Sequence, residues 1–270
     1  MVKLCAALAA ALLVVGCDAS LNGGSSSRDA NETTDDDGGG GGKMDADIDA
    51  PPACASGRKL FLEFLGVTLT DAAASDATMN RARWLQNTSA TVPAFRVGGA
   101  NRAAEIQQII DGVKARLSAT PIEVVTTRPA AAPYVMIVLG GRNTNRGGTV
   151  GTPYYGAVNY HDCGDATKND VGWVSDMTVA ATGLAADSPP AFIADLVVGA
   201  VGFGLGLDGT TDGADCMCGW GTICTDNNAN ACTLSSNIMS AVTNGADNET
   251  ACQNGTQNEV AAFTTQFCTP

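Results

Sequence analysis

The chain has 270 residues, a formal net charge of −13 at pH 7 and a single histidine. No cluster of basic residues interrupts this acidic balance, which argues against nucleic acid and anionic lipid surfaces as partners. With one histidine, no site in which three imidazoles of this chain hold one metal ion can form.

Residues 1–17 are typical of a bacterial lipoprotein signal. Lys3 gives a positive start, and residues 4–15 form an apolar run that is too short to span a bilayer. Residues 14–17, Val-Val-Gly-Cys, resemble a lipobox, which predicts cleavage before Cys17 and lipid on its sulfur. An ordinary signal peptide that happens to contain Cys17 is the alternative. We therefore expect a lipid-anchored protein of the bacterial cell envelope, facing the periplasm or the cell surface.

Residues 18–53 consist mainly of Gly, Ser, Asp and Asn and carry almost no large apolar side chain. Such a composition does not bury enough surface to offset the entropy cost of ordering, so we expect a disordered tether. Residues 54–270 are then long enough for one domain with a sizeable core.

The apolar pattern of residues 54–270 predicts an α+β fold. Strands are expected at residues 58–65, 122–127 and 134–139, with short candidates at 155–160 and 172–175. The strand at 134–139 is apolar on both faces, which is typical of the centre of a sheet. Helices are expected from a cap at Asn101 to Leu117, at 191–204 and 257–266, and around Trp84 at 77–86. The helix at 191–204 is apolar all round, which predicts burial on every side.

Cysteines are frequent in this predicted domain. Of the ten cysteines, eight remain when Cys5 in the signal and Cys17 are set aside, and an even number in an exported protein predicts four disulfides. They are Cys54, Cys163, Cys216, Cys218, Cys224, Cys232, Cys252 and Cys268. The connectivity stays open, because eight cysteines allow 105 pairings. Disulfides are favoured over a zinc–thiolate site, since Cys216 and Cys218 lack the usual zinc spacing, and over a dyad of His161 with Cys163.

Residues 195–220 have the frame of a zinc-protease helix without its chemical groups. The run VVGAVGFGLGLDG resembles HExxHxxGLxH, the signature of the metzincin, matrixin-like zinc metallopeptidases. When Gly206 and Leu207 are aligned with the family's Gly-Leu, the positions of the first histidine, the glutamate, the second and the third histidine fall on Gly199, Ala200, Phe203 and Gly209. None of these side chains binds a metal or carries a proton, so we expect no catalytic residue and no zinc.

A second landmark is the tetrapeptide Asn-Ile-Met-Ser at 237–240, which resembles the family's Met-turn. The resemblance implies that Met239 forms an apolar floor beneath the former metal position; an ordinary core methionine is the alternative. It also implies a metzincin-like domain with a mixed twisted sheet, a long helix, a buried former active-site helix and a disulfide-rich, irregular C-terminal part. We call the groove lined by Gly199, Ala200, Phe203, Gly209 and Met239 the vestigial cleft.

Two acidic segments have oxygen-rich spacing that calcium, with its six to eight oxygen ligands, accepts. The first contains Asp208, Asp212 and Asp215, and the second Asp162, Asp165, Asn169 and Asp170. A solvated acidic loop is the favoured interpretation, because neither segment matches an EF-hand and the chain has 28 acidic residues. Calcium therefore stays a possible ligand without a defined site.

These features predict a catalytically inactive, metallopeptidase-like lipoprotein that binds a peptide or surface partner in the vestigial cleft. The resemblance implies a cleft along a sheet edge, where an extended peptide adds as a strand. One alternative is an active metallopeptidase with unusual ligands, such as Asp208 or Asp212 with His161. A third interpretation is a purely structural surface protein without a cleft partner.

Overall fold

The structure is a computed structural model that describes residues 57–142, 156–179, 185–220, 231–240, 252 and 255–269. The predicted signal with Cys17, the tether at 18–53, Cys54 and Cys224 lie outside the described residues. The chain divides into two units, Met1–Asp47 and Ile48–Pro270, and every described residue belongs to the second. None of the helices within the described ranges has both the length and the apolar character needed to cross a bilayer.

The described residues form twelve strands and three α-helices, which confirms the α+β class. The strands are β1 (Lys59–Glu63), β2 (Val67–Asp71), β3 (Arg81–Ala82), β4 (Ser89–Val92), β5 (Glu123–Val125), β6 (Tyr134–Leu139), β7 (Ala157–Val158), β8 (Val171–Val174), β9 (Met177–Val179), β10 (Ala185–Asp187), β11 (Ile238–Met239) and β12 (Thr256–Gln257). The helices are α1 (Arg102–Arg116), α2 (Pro190–Gly204) and α3 (Glu259–Cys268).

A five-stranded sheet in the order β5-β1-β6-β8-β7 organises the domain. Its strands run parallel except β7, which pairs antiparallel with β8. All six residues of β6 are buried, as its two apolar faces predict. Alternate residues of this strand join two apolar clusters: Val135, Ile137 and Leu139 face α1 and α2, whereas Tyr134, Met136 and Val138 face the small β2–β3–β4 sheet.

The predicted helix at 77–86 is wrong. A single 3-10 turn, Ala77–Met79, occupies its start, and β3 follows directly. The turn ends because Asn80 takes a left-handed conformation with φ of 55°, which no helix continues. Trp84 is still a core residue, and its indole N–H donates to the carbonyl of Val171 at 2.5 Å.

Helix α1 begins where Asn101 predicts it, but the Asn101 side chain makes no capping hydrogen bond. An apolar stripe runs along α1: Ile109, Val113 and Leu117 are buried, and Ile106 and Ile110 pack against the same cluster. This stripe faces α2 and the central sheet.

Helix α2 has Pro190 in its first turn and ends in a Schellman motif. The N–H of Leu207 donates to Gly202 O at 3.0 Å, and the N–H of Gly206 donates to Phe203 O at 3.0 Å. Gly206 has φ of +78°, and a Cβ there would lie 2.7 Å from Asp162 O. Glycine is therefore required at the turn that reverses the chain after α2.

Disulfides join the irregular segment after α2, which confirms disulfide bonding for the cysteines that the structure describes. Cys163 is bonded to Cys252 and Cys216 to Cys232. Cys218 and Cys268 are disulfide-bonded as well. Neither a zinc–thiolate site on Cys216 and Cys232 nor a catalytic thiol on Cys163 is compatible with these bonds.

Candidate functional site

The four positions that correspond to the ligands and base of the metalloprotease signature are all buried. Three of them lie in α2, and Gly209 follows the turn at its end. Ala200 is fully buried, and its carbonyl accepts a hydrogen bond of 2.9 Å from Asn159 Nδ2. The structure therefore brings the predicted positions into the interior, where they contribute packing surface and no donor atom.

Trp220 covers Gly199. A Cβ on Gly199 would overlap Trp220 Nε1 and would lie 2.7 Å from Cys216 O. Glycine is thus the residue that allows the indole and the Cys216 backbone to approach α2. The space beside the first ligand position is filled by this side chain.

Phe203 stands between two rings. His161 stacks on one side with a centroid distance of 4.2 Å and an interplanar angle of 10°, and Trp220 lies 5.3 Å away at 37°. We call His161, Phe203 and Trp220 the aromatic cluster. Phe203 is only 5 % exposed, so burial of this ring contributes about 1.5–3 kcal/mol to folding.

His161 also contacts the segment after α2. Its Nε2 lies 3.3 Å from Asp208 Oδ1, and its Nδ1 lies 3.7 Å from Cys252 Sγ. Asp208 is fully buried and accepts the backbone N–H of Cys252 at 2.9 Å. The alternative of an active metallopeptidase names His161 and Asp208 as ligands, and the structure does bring these two side chains together. The sulfur atom beside them, Sγ of Cys252, is bonded to Cys163.

The three aspartates with calcium-like spacing do not converge, and the favoured interpretation as a solvated loop is wrong for Asp208 and Asp215, which are buried. Asp212 is exposed and accepts the backbone N–H of Ala214, whereas Asp208 faces His161. Asp215 is buried and accepts from Thr210, Met217 and Ser235 at 2.7–3.1 Å. Each carboxylate interacts with nearby protein groups, so the three side chains do not converge on one position where they could bind the same ion.

Asp215 belongs to a buried acidic pair with Glu259. Ser235 links them, because its hydroxyl donates to Asp215 at 2.7 Å and its N–H donates to Glu259 at 3.0 Å. Burial and, to a smaller extent, the negative charge of Asp215 together raise the pKa of Glu259 to about 8. The Gln257 amide donates to Glu259 Oε1 and to the Asp208 carbonyl, both at 2.9 Å, so this network reaches the aromatic cluster.

The second acidic segment is structural. Asp165 forms a fully buried ion pair with Arg58 and also accepts from Lys168, and burial raises the pKa of its carboxyl. Asp170 accepts from Asn159 at 2.6 Å, and burial raises its pKa to about 7. A Cβ on Gly204 would overlap the side chains of Asp170 and Asn159, so this pair lies directly against α2.

Met239 does not form the predicted floor. Its side chain is 66 % exposed, because β11 pairs with β12 and leaves the methionine at the surface. The methionine that packs beneath α2 is Met217, which is fully buried and lies 2.5 Å from the position of a Cβ on Gly202. The assignment of Met239 to the vestigial cleft is therefore wrong.

Strand β7 leads directly into the aromatic cluster. Two and three residues after its end, the chain reaches Tyr160 and His161. The N–H of Ser175 donates to Gly156 O at 2.8 Å, which makes Gly156 and Ser175 a hydrogen-bonded pair. Because bonded and non-bonded pairs alternate in an antiparallel ladder, the N–H and C=O of Ala157 point away from β8. Within the described ranges, β7 has no strand on that side.

Sequence reasoning missed the residues that fill the site. Trp220, Gln257 and Glu259 carried no spacing signal, because their contacts join segments that are distant in the chain. No protein-family model matches the chain, and comparison with curated proteins finds no similar sequence.

Proposed function

We propose that this protein is a catalytically inactive relative of the metzincin metallopeptidases that holds an extended peptide along β7 without cutting it. The observation that carries the proposal is the aromatic cluster. Phe203 stands at the second ligand position and Trp220 covers the first, so packed rings occupy the region that the signature assigns to zinc.

The order of elements supports the relationship. Apart from the small β2–β3–β4 sheet that precedes α1, a strand, a long helix, further strands, a buried helix, a cysteine-rich segment and a final helix follow in the order that the resemblance implies. Gly206, which the alignment places on the glycine of the signature, has the left-handed conformation that ends α2. The turn at the end of α2 therefore requires glycine at position 206, whether or not a metal is bound nearby.

The proposed lack of catalysis follows from the side chains at the four signature positions. Gly199, Ala200, Phe203 and Gly209 supply neither a ligand nor a general base. His161 and Asp208 are neighbours, but the third atom of their group is a disulfide sulfur, and metals in proteins bind the thiolate. Two protein ligands do not make the three-ligand zinc site of a hydrolase.

Peptide binding is supported by the edge of the sheet. Ala157 directs a donor and an acceptor away from β8, which is the pattern that an added strand uses. The strand packs against α2 and continues into the aromatic cluster, so side chains of a bound peptide would reach both. As part of the same proposal, a lipid on Cys17 and the tether would hold the domain at the cell envelope.

The test is retention of peptides by the full-length protein. A mixture of random synthetic decapeptides is incubated with the oxidised protein, and the retained peptides are identified by mass spectrometry. We expect a subset to be retained at full length, with and without EDTA. Ala157→Pro should abolish retention, because it removes the outward N–H while leaving the ladder to β8, whereas Ala157→Ser keeps the N–H and should retain the peptides.

The two other interpretations give different results. Peptide fragments that disappear on addition of EDTA would indicate an active metallopeptidase and contradict the proposal. No retention by a protein whose circular dichroism shows it to be folded would favour a purely structural role.

A further inference from the structure

One group of metal-binding side chains converges within the described part of the chain. It consists of His161, Asp208 and Cys252, whose donor atoms lie within 4.8 Å of one another. The three residues come from separate segments: the loop after β7, the turn after α2 and the segment before β12. Sequence spacing gives no hint of this group.

His161 is held in this group without a hydrogen bond on Nε2. The side chain is 7 % exposed, and Nε2 is buried and has no hydrogen-bond partner. Its distance of 3.3 Å from Asp208 Oδ1 is slightly longer than a hydrogen bond. With bonds of about 2.0–2.1 Å, two ligands of a tetrahedral zinc ion lie about 3.3–3.4 Å apart. The pair therefore already has the separation of two ligands of one ion.

Cys252 binds a metal as the third ligand only when its sulfur is a free thiolate. In the oxidised protein its sulfur is bonded to Cys163, which removes its charge. Cys163 is exposed, so a small thiol reaches this disulfide from outside. Two thiols of a reductant supply two electrons and two protons: the bond between the cysteine sulfurs breaks, the reductant forms its own disulfide, and both cysteines become thiols.

We propose that opening of the Cys163–Cys252 disulfide creates a zinc site formed by His161, Asp208 and the Cys252 thiolate. The Cys252 thiol releases its proton on binding the ion, and water completes the tetrahedron. Sulfur and imidazole donors favour Zn²⁺ over Mg²⁺ and Ca²⁺, which prefer oxygen ligands only. The ion then replaces the disulfide as the cross-link between Cys252 and the segment that carries His161.

The test uses Cys163→Ser in the full-length protein, which frees Cys252 while the other disulfides stay oxidised. Cobalt(II) serves as the spectroscopic probe for the zinc site. We expect one equivalent of Co²⁺ to bind with a thiolate-to-cobalt charge-transfer band, and zinc to displace it. Wild-type oxidised protein should show no band.

Further variants identify the ligands. Adding Cys252→Ser or His161→Gln to Cys163→Ser should remove the band, and adding Asp208→Asn should weaken binding at least about tenfold. Cys232→Ser is the matched control, because it frees Cys216 at the other described disulfide, where no histidine is present. A band of equal strength in this control, or one that survives His161→Gln, would overturn the assignment.

Folding of each variant is checked by circular dichroism. Where Cys163→Ser does not fold, wild-type protein is treated with limiting thiol, and alkylation with mass spectrometry identifies molecules opened at Cys163 and Cys252. Cobalt binding by those molecules supports the site, and its absence contradicts it. Peptide retention is measured on oxidised wild-type protein, so failure of either proposal is recognised separately.

Discussion

The described residues of 57–204 pack mainly as apolar layers, whereas the described residues of 205–269 are held mainly by disulfides and buried polar groups. In the first region, alternating side chains of β1 and β6 fill both faces of one sheet. In the second, Asp208, Asp215, Gln257 and Glu259 are buried together in a hydrogen-bonded network. The stability of the first region should therefore depend mainly on packing, and the stability of the second mainly on redox state and pH.

The largest expected effect is loss of the cross-link between the two regions. Cys163 and Cys252 are separated by 89 residues, so replacing both with serine should lower the free energy of unfolding by about 4–5 kcal/mol in the chain-entropy account. Replacing both Cys216 and Cys232, which are separated by 16 residues, should lower the free energy of unfolding by about 3 kcal/mol. Denaturant titration of both variants tests this order, and a larger loss for the shorter loop would contradict it.

Removal of the buried charge partner of Arg58 should cost about 3–5 kcal/mol, because a buried guanidinium would lose its carboxylate. The variant is Asp165→Asn, since asparagine tolerates the φ of 52° at this position. Glu123→Gln is the control: it breaks the exposed pair with Lys59 and should change stability by less than about 1 kcal/mol. Equal losses in urea unfolding would show that the buried pair is no more important than the exposed one.

A smaller loss of stability is expected when an added side chain crowds the contact between α2 and the segment that follows it. Gly199→Ala would push a methyl group against Trp220 and Cys216 O, which should cost about 1–3 kcal/mol. Its control, Gly156→Ala, places the added Cβ at an ordinary 3.4 Å from Leu196 Cδ1 and should be nearly neutral. Thermal unfolding of the two variants measures the difference, and an unaffected Gly199→Ala would mean that Trp220 does not fill this space.

Over a single pH unit, the smallest of these effects is a pH slope from the polar network. The pKa of Glu259 is raised from 4.5 to about 8 by burial and by Asp215, so the folded chain keeps a proton that the unfolded chain releases. The contribution of this group is complete below pH 4.5 and is lost as pH rises through about 8, by at most about 1.4 kcal/mol per pH unit. Glu259→Gln should flatten this slope in urea unfolding from pH 5 to 8, whereas Glu123→Gln should leave it unchanged.

The contrast between the regions also explains how far the sequence predicts the structure. Period and apolar runs predict β6, α1 and α2, because each buries a continuous apolar face. Asp208 and Asp215 are buried by partners far along the chain, so their composition predicts a solvated loop instead. The small β2–β3–β4 sheet was missed because its strands are short and largely polar on the outer face.

The candidate site shows the same division. Local pattern predicts that Gly199, Ala200 and Phe203 supply no ligand, since this depends only on their side chains. That Trp220 and His161 enclose Phe203 depends on the path of two distant loops. Met239 shows the opposite case: a short local motif predicts a buried methionine, but the surface pair of β11 and β12 exposes it.

The metal content of the purified, oxidised protein tests the central claim most directly. Elemental analysis after exposure to zinc and removal of loosely bound ions should find no stoichiometric zinc, because Gly199, Ala200, Phe203 and Gly209 offer no metal ligand and Cys252 carries no free thiolate. One tightly held zinc ion per chain, together with cleavage of peptides that stops when the ion is removed, would contradict the account.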